Sequence, residues 1–98
     1  MIQIAFSQDE LEAICRRRAV KRLALFGSVL RDDFGPESDV DVLVEFDFDA
    51  FEEADVLPIF DELEALFGGR KVDLVEAEFL NPRMKRAALV DAEEVYAA

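Results

Sequence analysis

The chain has 98 residues, 52% hydrophobic and 35% charged, with a formal net charge of −12. This length holds one domain, read here over residues 1–98, and the apolar content excludes a disordered chain. No apolar run approaches the ~20 residues of a membrane span, so acidity and one Cys without His leave neither membrane, nucleic acid nor structural zinc as a partner.

Ser7-Gln8-Asp9-Glu10 is a capping box that opens a helix running to about Arg18, with Leu11, Ile14 and Cys15 on one face. Val20 to Phe26 follows as a strand whose nearly continuous apolar run, Leu23-Ala24-Leu25-Phe26, predicts burial on both faces. Gly27 permits a sharp turn, and Ser28 is expected to cap a short helix through about Asp32. Phe34-Gly35-Pro36-Glu37-Ser38 reads as a loop. Val40, Val42, Val44 and Phe46 then alternate with Asp39, Asp41, Leu43 and Glu45, the period of a strand.

Asp47 to Ala54 is an acidic connection. Val56, Ile59, Phe60, Leu63, Leu66 and Phe67 recur at helical spacing, with Pro58 in the first turn and Gly68-Gly69 closing the helix. Lys71 to Glu76 reads as a third strand, and Asn81-Pro82 starts a last helix to about Val90. The tail to Ala98 shows no clear pattern. The expected class is therefore α/β (α+β): a small mixed β-sheet of three to four strands flanked by helices.

The chemistry is carried by Gly27-Ser28 followed by Asp39-Val40-Asp41. Side chains two apart on a strand share a face, so Asp39 and Asp41 project together while Val40 and Val42 turn to the core. Two carboxylates so close repel, and Mg²⁺ relieves that by binding one or two of them together with waters and substrate phosphates. Backbone N–H groups at the Gly27-Ser28 turn form an anion site, and Arg31 is the nearest cation able to reach a phosphate. Asp73, an acid inside an apolar strand, is the candidate third carboxylate that aligns and deprotonates an acceptor hydroxyl.

Each residue also has a purely structural alternative. Asp39 can cap the loop after Ser38, Asp73 can pair with Arg70 or Lys71, and Arg31 can bridge Asp32 or Glu37. Asp47-Phe48-Asp49 repeats the paired acids without a Gly-Ser turn before it at the same distance. Cys15 has no internal disulfide partner and Met1-Ile2-Gln3-Ile4 lacks a signal-peptide pattern, so the expected compartment is the cytoplasm.

Phe26-Gly27-Ser28-Val29-Leu30-Arg31 with Ser38-Asp39-Val40-Asp41-Val42-Leu43-Val44 resembles the signature of the DNA polymerase β-like nucleotidyltransferase superfamily. The short length and Arg70-Lys71-Val72-Asp73-Leu74-Val75 resemble its minimal nucleotidyltransferase branch, the MntA-type antitoxins, over about Leu11 to Tyr96. That resemblance implies Gly27 and Ser28 on an ATP triphosphate, Asp39 and Asp41 on Mg²⁺, and Asp73 as the third acid. It further implies transfer of AMP from ATP to a tyrosine of a HEPN-domain RNase toxin, in a hetero-oligomer with that toxin. The family often has a basic residue after Gly-Ser and a Gly after the following Arg, where this chain has Val29 and Asp32.

Two other functions fit the same residues. Between Asp32 and Gly69 there are fourteen acidic residues and no Lys or Arg, which suits an antitoxin that blocks a basic partner by contact alone. A small-molecule nucleotidyltransferase is the third reading, ranked last because 98 residues leave little room for a substrate-holding domain.

Overall fold

The computed structural model describes residues 2–47, 49–50, 56–77, 80–83, 86, 90 and 92–98. The first element, α1 (Gln8–Arg17), starts where Ser7 Oγ accepts from the Glu10 amide at 3.3 Å. Asp9 and Glu10 in its first turn and Arg16 and Arg17 in its last complement the helix dipole. Leu11, Ile14 and Cys15 form its buried face.

Arg18 and Ala19 turn the chain into β1 (Val20–Phe26), with Ala19 at φ 55°. An alanine in the left-handed region is strained by its Cβ, and glycine is not. Ala19→Gly is accordingly expected to stabilise the fold by about 0.5–1 kcal/mol, read as a higher urea midpoint with unchanged slope.

A 3₁₀ turn, Gly27–Leu30, follows β1 directly. The expected helix to Asp32 is thus shorter, and Ser28 lies inside the turn rather than capping it: the cap position is Phe26, which makes no side-chain cap bond. Next come β2 (Val40–Phe46), α2 (Ile59–Leu66), β3 (Val72–Glu76) and β4 (Glu93–Ala97). Pro58 is the N-cap of α2, one residue ahead of the expected first turn. At its other end the Gly68 and Gly69 amides donate to Ala65 and Glu64, closing the helix as expected. Half of the expected helix over 81–90 and most of the connection over 47–54 lie outside the described residues.

Among the described residues four strands form one mixed sheet in the order β3-β2-β1-β4. The β2–β3 pair is parallel, while β1 runs antiparallel to both β2 and β4. The fourth strand is the element the sequence pattern did not reveal. Only Val95 and Tyr96 in Glu93–Ala97 favour a strand, and the acids beside them give no alternating period. Its place comes from pairing with β1, supported by Arg22 to Glu94 at 2.9 Å and Gln8 to the Val95 carbonyl at 2.7 Å.

One face of the sheet packs on the helices. Leu23 and Leu25 of β1, Val40, Val42 and Val44 of β2, and Val72 of β3 join Leu11, Ile14, Cys15, Ile59 and Leu63 in the main core. On the other face Ala24, Leu43 and Ala77 form a smaller cluster with Phe26 and Val75 at its margin. The continuous apolar run of β1 is therefore buried on both faces, as its composition required.

Glu62 of α2 receives the guanidinium of Arg18 at 2.6 Å and that of Arg17 at 2.7 Å, tying the two helices at their ends. Arg18, with Arg17 adding to it, holds the Glu62 carboxyl below the usual glutamate range. A lowered acid stabilises the fold above its ordinary pKa and loses that contribution as pH falls through the lowered folded value. Glu62→Gln is expected to cost about 1 kcal/mol at neutral pH. The difference from wild type vanishes in acid, which urea unfolding across pH will show.

Candidate functional site

The end of the sheet where β1 finishes and β2 and β3 begin gathers the residues singled out above. In the β1–β2 register Phe26 stands opposite Asp41, and in the β2–β3 register Asp41 stands beside Asp73. Parallel neighbours in register project from the same face, so the Asp41 and Asp73 side chains emerge together, away from the main core that holds Val40 and Val42. Asp39 precedes β2 by one residue and shares that face by its two-residue spacing from Asp41.

Burial differs among the three acids. Asp39 and Asp73 are exposed, whereas Asp41 is half-buried between its neighbours. Desolvation pushes the Asp41 carboxyl above the usual carboxylate range, and the charges of Asp73 and then Asp39 push it further. Arg31 and a backbone hydrogen bond from Ser28 act in the opposite direction. The charges of Asp73, Asp39 and Arg31 thus all act on Asp41, and a backbone hydrogen bond from Ser28 reaches its carboxylate.

Gly27 is shaped by this arrangement. Its φ of 74° is left-handed, and a Cβ placed on it would overlap the Asp41 carboxylate, lying 3.2 Å from Cγ. The turn therefore presses its backbone against the acid, which only glycine allows. The Gly-Ser turn and the paired acids, ten residues apart in the chain, form one unit in space.

The donor set suits a hard divalent cation: carboxylate oxygens only, with mutual repulsion that a cation would relieve. Asp39, Asp41 and Asp73 are the residues that would hold it. Among the described residues no three His, Cys, Asp or Glu side chains form a ready-made metal cage. A cation here would complete its shell with water and phosphate oxygens, the usual habit of Mg²⁺.

The structure decides the alternatives for Arg31 and for the Asp73–Arg70 pair. Arg31 contacts Asp33 at 3.4 Å rather than Asp32 or Glu37, a weak exposed pair that leaves its field on Asp41. Arg70 does not pair with Asp73: its Nη1 donates to the carbonyls of Gly35 at 2.7 Å and Ser38 at 3.3 Å, and its guanidinium lies 4.4 Å from the centre of the Phe34 ring. Nothing in the local spacing signals that role, because Phe34 and Arg70 meet only through the fold. Cys15 is fully buried and its thiol is pushed up to about 12, so it is a core residue and no nucleophile.

The nucleotidyltransferase domain model matches residues 9–95. The chain belongs to the nucleotidyltransferase domain family. Two Methanocaldococcus jannaschii proteins named as adenylyltransferases are similar to it. "Putative protein adenylyltransferase MJ1379" is 39% identical over 70 residues, 69% of each chain, and MJ0435 is 33% identical over 82 residues, 84% of this chain and 86% of the relative. Among solved structures, one described as a minimal nucleotidyltransferase aligns at TM-score 0.73 with 31% identity, covering 88% of this chain and 86% of the other. A chain of a toxin–antitoxin complex with AMP-PNP has the same fold at TM-score 0.70 and 16% identity, covering 94% and 74%. In this nucleotidyltransferase the sheet end bearing Gly27, Asp39, Asp41 and Asp73 is the candidate active site.

Proposed function

We propose that this nucleotidyltransferase is an Mg²⁺-dependent protein adenylyltransferase of the cytoplasm, and that its 98 residues act as one catalytic domain. In this reading it is the antitoxin of a HEPN-domain RNase toxin and moves AMP from ATP to a toxin tyrosine. The observation that carries the reading is the placement of Asp41 beside Asp73 with Gly27 pressed against it. The adenylyltransferase names of its relatives and the AMP-PNP toxin–antitoxin neighbour support the choice of nucleotide and of partner class.

A bound Mg²⁺ would neutralise phosphate charge between the acids and the triphosphate. The protein's own contribution is positional. The Gly27 backbone N–H and the Ser28 hydroxyl are offered to the phosphates, the Ser28 N–H serves Asp41, and Arg31 adds a positive field on the same side. Asp73, exposed next to Asp41, takes the proton of the acceptor hydroxyl as its oxygen attacks the α-phosphorus. The bond from the α-phosphorus to the bridging oxygen breaks, and pyrophosphate leaves with that electron pair.

The test is incubation with α-labelled ATP, Mg²⁺ and the cognate toxin. Label on a toxin tyrosine is the expected result, and unlabelled toxin would remove the enzymatic reading. The acidic run from Asp32 to Gly69 favours a second reading, neutralisation by contact alone. In that case the double variant Asp39→Ala, Asp41→Ala would still protect cells expressing the toxin.

A further inference from the structure

We infer that Arg70 is a positioning residue for the carboxylate site, an inference that rests on the nucleotidyl-transfer reading above. Asp39 stands at the junction between the Phe34–Ser38 loop and β2, so its place depends on what holds the chain on either side. On one side the Val40 amide donates to the Lys71 carbonyl at 2.9 Å. On the other the Ser38 carbonyl accepts from Arg70 Nη1 at 3.3 Å. Both neighbours of Asp39 are thus fastened to residues 70 and 71, and Asp73 lies two residues further along the same strand.

The loop itself is a closed turn. The Ser38 amide donates to the Gly35 carbonyl at 3.1 Å, and Ser38 Oγ accepts from the Gly35 amide at 3.0 Å. Arg70 clamps that turn by bonding the Gly35 carbonyl at 2.7 Å while its guanidinium packs on the Phe34 ring. A planar donor that bonds two carbonyls and stacks on an aromatic face at once is a property of arginine that lysine lacks. In a chain so rich in acid, both of these hydrogen bonds go to backbone oxygens. The clamp links the segment carrying Asp39 to the strand carrying Asp73, setting the separation of the outer two acids.

The test uses the full chain as wild type, Arg70→Lys and Arg70→Met, the last keeping an apolar stem over Phe34. Amide exchange is followed in the Gly35–Asp39 segment and in α1, and Mn²⁺ is titrated by electron paramagnetic resonance with a non-hydrolysable ATP analogue. Arg70→Met is expected to exchange ~10-fold faster at the Ser38 amide with α1 unchanged. It should also need ~10-fold more Mn²⁺ for half-saturation, with Arg70→Lys in between. Unchanged loop exchange, uniform acceleration across the protein, or loosening without a shifted Mn²⁺ midpoint would each overturn the inference. Wild type that binds no Mn²⁺ with the analogue would instead overturn the nucleotidyl-transfer reading, and the inference with it.

Discussion

Asp41→Asn is expected to abolish nucleotidyl transfer and, in the same protein, to make unfolding harder. Asp41 is the central acid of the three and the only one half-buried, so its charge is the one least screened by water. In the proposed mechanism, losing it would remove a negative ligand for the cation and the charge that faces the phosphates. The fall in AMP transfer should be about 10³-fold or more. The same charge costs the fold stability, because burial and then Asp73 and Asp39 push the Asp41 carboxyl up.

For an acid with a raised folded pKa, the cost is absent below the ordinary aspartate value. It develops as pH rises and is complete above the raised value. Asn can still accept the backbone hydrogen bond from Ser28 while carrying no charge. At neutral pH and without divalent cation the variant should gain about 1 kcal/mol, a modest figure because water still screens the partly exposed site. The gain should close as pH is lowered through the acid range, in urea unfolding series at fixed ionic strength. A variant less stable than wild type at neutral pH would contradict this account of the site.

Gly27→Ala should damage both activity and stability through one cause. The new methyl group meets the Asp41 carboxylate, and the backbone at φ 74° already disfavours an L side chain. The backbone part alone costs roughly 1–2 kcal/mol, and the overlap adds to it by forcing the turn or the acid aside. Displacing the acid misaligns the reacting groups, and a shift near 1 Å is enough for a ~10²-fold loss of rate. The overlap has a signature in a double-mutant cycle. Placed on Asp41→Ala, the Gly27→Ala change should keep its backbone cost and lose the steric part, giving a coupling of about 1 kcal/mol. Strict additivity would show that the glycine serves the turn and not the acid.

Much of the site was legible because its geometry follows from short-range rules. Asp39 and Asp41 share a face through the period of a strand, and Gly27 had to precede a turn because nothing else tolerates its backbone. The main core was equally legible: Leu11, Ile14 and Cys15 on one helix and Ile59 and Leu63 on the other all stand inside. Three features were not. The Gly27–Leu30 turn stops short because Arg31 is already extended, while the strand Glu93–Ala97 and the role of Arg70 depend on partners distant in sequence.

Local periodicity, capping and glycine placement by themselves determined the order α1, β1, β2, α2, β3, the faces these elements bury and the identity of the acids beside the turn. Only the tertiary structure decided that Asp73 neighbours Asp41, that Arg70 spends its hydrogen bonds on a loop, and that the last strand joins the edge of β1. The reason is physical. Spacing along a chain sets which way a side chain points, but register between strands sets which side chains meet, and register is chosen by the packing of the whole sheet against its helices.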